Sequence, residues 1–117
     1  MKRVLLILST VMAAFGMFAN EKPTFPGGEE ALKKYIADHT VYPAIAKENG
    51  VEGIVEIGFL VLGDGSLKDI KVTKLIDPDL EQEALRVVAG MPAWIPAEKD
   101  GTPIEAPSEV NVPFILE

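Results

Sequence analysis

Few residues in this chain have the types and spacing that bond-making chemistry requires, and each has a structural alternative. Asp64, Gly65 and Ser66 gather oxygens as a calcium loop does. The flanking ligand positions of such a loop are absent, so Asp64-Gly65 reads as a hairpin turn. Asp77, Asp79, Glu81 and Glu83 could supply a carboxylate pair for proton transfer. They also fall at the start of a helix, where the dipole stabilises negative charge, and that reading is preferred. His39, the only histidine, stands at the end of another helix, where a cation is favoured. The chain has no cysteine, which removes thiol catalysis, disulfides, thiolate metal sites and a cysteine-borne lipid. No nucleophile or metal constellation can be assembled, so the sequence predicts a protein that is not an enzyme and needs no cofactor or metal.

Other residues point to packing or recognition. Trp94, the only tryptophan, stands in the stiff run Met91-Pro92-Ala93-Trp94-Ile95-Pro96. It could stack on a ligand, but it reads as the plug of one end of a core. Tyr42-Pro43 is either a recognition surface or a corner between two helices. Asn111 and Ile115, opposite the apolar face of the last strand, are either plain surface or partner contacts.

The elements that would hold these residues are arranged around residues 50–75. Val55, Ile57, Phe59 and Val61 share one side of a period-2 pattern, with Glu56, Leu60 and Leu62 on the other. That predicts a strand with one strongly buried face. Beyond the turn, Ile70 and Val72 alternate with Asp69, Lys71 and Thr73, a strand that buries one face only. An isolated hairpin is marginal in water, so other elements must cover it.

Ala31, Leu32, Tyr35 and Ile36 predict an amphipathic helix over 29–39, its acids at the start and Lys33-Lys34 one turn on, suited to i,i+4 pairing. Pro43 opens a short helix over 44–48. Asp77 as N-cap and Pro78 at the first helical position start a longer one, ending near Ala89. Its stripe of Leu80, Ala84, Val87, Val88 and Met91 is the natural lid for the hairpin. Residues 98–103 read as a polar turn. Residues 107–116 read as a third strand with Val110, Val112, Phe114 and Leu116 on one face. Pro113 cannot donate to a ladder, which puts this strand at a sheet edge. The order helix–helix–strand–strand–helix–strand predicts an α+β two-layer sandwich, a three-stranded antiparallel sheet with helices packed on one face.

Bulk properties narrow the class further. At 117 residues there is room for one small domain. Lys2 and Arg3 precede an uncharged run from Val4 to Ala19, shorter than the roughly 20 residues of a membrane span. Residues 1–20 therefore read as a secretory signal peptide, with a short N-terminal anchor as the alternative. Residues 21–28 read as a connector reaching about 25 Å, and 29–117 as the domain. The formal net charge is −7 and becomes more negative without Lys2 and Arg3. A basic footprint for nucleic acid or anionic membrane is missing.

Taken in order, certain pieces resemble the C-terminal domain of the TonB energy-transducer family, in its short form preceded by Phe-Pro-Gly-Gly. They are Phe25-Pro26-Gly27-Gly28, Tyr42-Pro43-Ala44-Ile45-Ala46, Gly50-Val51-Glu52-Gly53 and Phe59-Leu60-Val61 before Asp64-Gly65. Asp79-Leu80 through Glu83-Ala84, the Met91–Pro96 loop, Gly101 and Val112-Pro113-Phe114 complete the set. The likeness covers roughly residues 25–117. It implies a periplasmic, non-catalytic binding module whose partner is an outer-membrane transporter or another envelope protein. In the family an extended partner segment lies alongside the last strand, here Val110, Asn111, Val112, Pro113, Phe114 and Ile115, with Tyr42 and Pro43 as a second contact region. An exposed strand edge offers unpaired backbone groups for such an addition. The same edge could instead pair with its own copy, giving a structural homodimer. Force-transmitting members carry a motor-binding anchor and a long spacer. With the short segment and connector read here, the expectation is a module that does not transmit force by itself. Glu105-Ala106-Pro107-Ser108-Glu109 departs from the family's longer alternating strand and is expected to shorten the edge.

Overall fold

The structure, a computed structural model, describes residues 21–117, and the expected signal peptide or anchor lies outside the described residues. β1 (Gly53–Val61) and β2 (Leu67–Lys74) form the predicted antiparallel hairpin. Val55, Ile57, Phe59 and Val61 are all buried, and removing each such side chain from water contributes roughly 1.5–3 kcal/mol.

The turn depends on Gly65. Its N–H donates to the Leu62 carbonyl at 2.8 Å and its φ of 89° lies in the left-handed region. A Cβ there would sit 2.3 Å from the Trp94 carbonyl oxygen, while the Trp94 N–H donates to the Gly65 carbonyl at 2.8 Å. The turn is thus docked against the tryptophan loop. Asp64 closes it locally, accepting from the Ser66 N–H at 2.9 Å and the Ser66 hydroxyl at 2.6 Å. Those bonds hold its carboxyl below the usual aspartate range. The three residues form a turn, as their spacing suggested.

β2 departs from simple alternation. Its register against β1 shifts twice, between Glu56 and Ile57 and between Gly58 and Leu60. Asp69, with φ 55°, is left-handed at the second shift. The extra residue there reconciles Leu67 with Ile70. Three positions apart, they would face opposite ways in a regular strand, yet both pack against the core beside Val72.

Helices cover one face of this sheet. α1 (Glu29–His39) buries Leu32 and Ile36, α2 (Ala44–Glu48) buries Ala46, and α3 (Pro78–Ala89) buries Leu80, Ala84, Val87 and Val88. α3 lies across β1 and β2. The Asp77 carboxylate caps it, accepting from the N–H groups of Asp79 at 3.0 Å and Leu80 at 3.1 Å, with Pro78 next. Glu81 reaches back to the Ile76 N–H at 2.6 Å. On α1 the i,i+4 ion pair is Lys34–Asp38 at 2.7 Å. Among the described residues no helix is long and apolar enough to cross a membrane.

The expected polar turn at 98–103 is a small β-ribbon, β3 (Ala97–Lys99) against β4 (Thr102–Ile104). Asp100 and Gly101 both have positive φ, the geometry of a two-residue hairpin loop. Three-residue strands, one holding Pro103, carry too little alternation to show in the sequence. β5 (Ala106–Phe114) completes the main sheet, whose order is β2-β1-β5. Residues 21–28 were expected to connect, but part of them enters the fold. Thr24 pairs with Ile95 through two backbone bonds, and Phe25 is buried against Tyr35 and Trp94. Trp94 itself is buried, 5.1 Å from Phe59 and 5.7 Å from Phe25 between ring centroids, and plugs that end of the core.

Candidate functional site

β5 pairs with β1 without a register shift from Gly53–Phe114 to Val61–Ala106, and among the described residues with no other strand. In an antiparallel ladder, alternate residues turn their N–H and C=O groups toward the neighbour. Pro107 and Pro113 fall on the same alternate set, together with Glu109 and Asn111. A proline has no N–H to give, so this set keeps the ladder whole when it faces away from β1. The outer edge of β5 then offers the N–H groups of Glu109 and Asn111, with carbonyls along its length. The Pro107 and Glu109 stretch was expected to shorten the edge. It does not, because its proline stands where no ladder bond is required.

The edge is not flat to solvent. α1 stands beside it, and the two enclose a cleft of about 640 Å³. Lys33, Ile36, Ala37 and Thr40 form its helical wall, and Tyr42, Ile54, Asn111, Pro113, Phe114 and Ile115 form the rest, with Glu117 at one end.

Tyr42 is fixed in this cleft from two sides. Its ring meets Phe114 edge-on at 5.5 Å and its hydroxyl donates to the Val51 carbonyl. Burial, then the nearby Glu52 carboxylate, pushes that hydroxyl above its ordinary pKa, so it stays a neutral donor. A clamp from α3 holds the backbone just before it. Glu83 accepts from the Val41 N–H at 2.7 Å and from Arg86 Nε and Nη2 at 2.8 and 2.7 Å. Arg86 Nη2 also donates to the His39 carbonyl at 2.8 Å. The bonds from Arg86, and then from Val41, hold the Glu83 carboxyl below its ordinary range despite burial. His39 Nδ1 donates to the Tyr35 carbonyl at 2.8 Å and its ring stacks on Tyr35, a helix-end role.

Of the residues singled out from sequence, Tyr42, Asn111, Pro113, Phe114 and Ile115 meet at this cleft. Pro43 lines a neighbouring depression instead, with Val41, Ala44, Asp79 and Glu83, which shares Tyr42 with the cleft. Val110, Val112 and Phe114 are core residues, 3%, 0% and 1% exposed, so their side chains support the strand from behind. Ile115 lies just past the end of β5 and is 65% exposed. The α1 wall was missed, because nothing local in a sequence says which helix will lie beside which strand edge. Ile54 left a signal, an apolar residue on the outward set of β1 that remains 52% exposed.

The fold and site define a small two-layer α+β domain in which, among the described residues, the edge strand β5 stands open beside a helix. A protein-family model described as Gram-negative bacterial TonB protein C-terminal matches residues 38–116, more than half of the chain. The chain belongs to the TonB C-terminal domain family. Two solution structures of the Helicobacter pylori TonB C-terminal domain resemble it. One is 25% identical with a TM-score of 0.57, covering 79% of this chain and 87% of its own. The other, a shorter version, is 23% identical with a TM-score of 0.55, covering 73% and 89%. The fold is therefore shared with these domains. No curated protein matches the chain.

Proposed function

We propose that this protein is a non-catalytic periplasmic binding module that takes up an extended segment of an outer-membrane transporter or another envelope protein. The segment adds as a further strand to the outer edge of β5. The observation that carries this reading is the edge itself, unpaired among the described residues, nine residues long, in register throughout and walled by α1. Backbone bonding along such an edge supplies affinity, and pockets for alternate side chains supply selection. Membership of the TonB C-terminal family supports the envelope partner, and the basic, apolar start of the chain supports export. Of the acids that might have served proton transfer, Asp77 and Glu81 are engaged in capping and Glu83 in clamping, which fits a binding role.

The test is photo-crosslinking in the native cell with the probe at position 111. A crosslink to an outer-membrane transporter or another envelope protein is the expected result. A crosslink solely to a second copy of the chain would overturn the reading in favour of a homodimer paired through β5.

A further inference from the structure

We propose that the segment received at β5 is apolar in its middle and basic at its two flanks. This rests on the strand-addition reading and adds the chemistry of the ligand to it. A smaller cleft of about 140 Å³, lined by Phe25, Glu29, Leu32, Trp94, Ser108 and Glu109, sits at the start of the same edge. α1 contributes Glu29 and Leu32 to this cleft and Lys33, Ile36, Ala37 and Thr40 to the larger one. Their linings follow one another along α1 and along β5 in the same direction, which points to one trough, bordered at its start also by Pro23, Thr24 and Gly28.

A strand lying in that trough alternates its side chains between two surroundings. One set points toward Leu32, Ile36, Ala37 and Tyr42. The other lies over Ile54, Pro113 and Ile115 on the uncovered face. Both are mainly apolar through the middle of the trough, interrupted by Lys33, Thr40 and Asn111. Its ends are anionic: Glu29 and Glu109 stand at one, and Glu117 stands at the other, close to Glu52, which accepts from the Leu116 N–H. Lys33 is the one cation among the described residues lining it. Carboxylates at both ends favour lysine or arginine at both flanks of the occupant and oppose acidic ones. The backbone adds little discrimination, because Pro107 and Pro113 leave only Glu109 and Asn111 as strand donors.

The test uses the full chain and three end-blocked synthetic peptides of about ten residues, a length matched to β5 at ~3.3 Å per residue. They share one alternating Val/Ala middle and carry Lys, Gln or Glu at both flanks. Affinity is read by fluorescence anisotropy at two salt concentrations, with Asn111→Pro as the strand-addition control. The expected order is Lys, then Gln, then Glu, with roughly tenfold between the extremes at low salt, shrinking as salt screens the exposed charges. Glu109→Lys with Glu117→Lys leaves each end neutral, against Glu29 and Glu52, and should remove that order. If all three peptides bind alike, or the Glu peptide binds best, while Asn111→Pro abolishes binding, strand addition stands and the charge rule is overturned. If none binds, or Asn111→Pro changes nothing, strand addition fails and this inference fails with it.

Discussion

Proline substitution at two adjacent positions of β5 would test the orientation of the edge directly, without any partner. Val110 pairs with Ile57, and on the orientation derived above its N–H donates into the ladder. Val110→Pro removes that bond, about 1 kcal/mol, and leaves a carbonyl of β1 unpaired in the interior, about 1–3 kcal/mol more. Crowding of the ring against β1 brings the expected cost to roughly 3–5 kcal/mol. Asn111 sits one residue on, facing outward and exposed. Asn111→Pro loses no bond in the free protein, and the stiffer unfolded chain offsets part of any strain, so its cost should stay within about 1 kcal/mol. Urea denaturation followed by far-UV circular dichroism reads both. With a slope of roughly 1–3 kcal/mol per molar for a domain this size, Val110→Pro should lower the midpoint by ~2 M and Asn111→Pro by ~0.5 M or less. Equal losses, or a larger loss at 111, would invert the assignment and remove the free donors on which strand addition depends.

Two further outcomes follow from the packing and the clamp. Trp94→Ala should cost about 3–4 kcal/mol in the same assay, since roughly 200 Å² of ring leaves the core, offset in part by relief of the buried indole N–H that has no partner among the described residues. Trp94→Phe, which removes that N–H and keeps much of the ring, should cost less than half as much, and an unchanged melting temperature in Trp94→Ala would return Trp94 to the surface. Glu83 titrates below its ordinary value near 4.5, so its contribution is fully present above that pH and is lost as pH falls through the lower folded-state value. With Glu83 12% exposed but Arg86 58% exposed, screening limits the contribution to about 1 kcal/mol, and Glu83→Gln should flatten the acid limb of a stability–pH curve by that much.

The sequence by itself determined the elements and most of their contacts with the core, because those rest on local rules. Period-2 burial fixed β1, the left-handed requirement at Gly65 fixed its turn, and the Asp77-Pro78 start fixed α3. Pro113 placed β5 at an edge, and that is where it lies. The ordered motifs named the family. The sequence did not foresee the bulge at Asp69, since strict alternation hides an extra residue, nor the ribbon of β3 and β4, whose strands are too short for a pattern. Phe25 looked like part of a tether because its neighbours are prolines and glycines. Only packing against Tyr35 and Trp94 brings it into the core.

The site divides in the same way. Asn111 and Tyr42 were visible as candidates, but the trough they share was not, because its other wall comes from α1, some 70 residues earlier than β5. The Glu83–Arg86 clamp is legible as an i,i+3 pair, yet its targets at His39 and Val41 are not. Contacts between distant segments are chosen by the joint packing of the core, in which no single stretch of chain holds the information. That is why the strand could be read from residues and the groove beside it only from the fold.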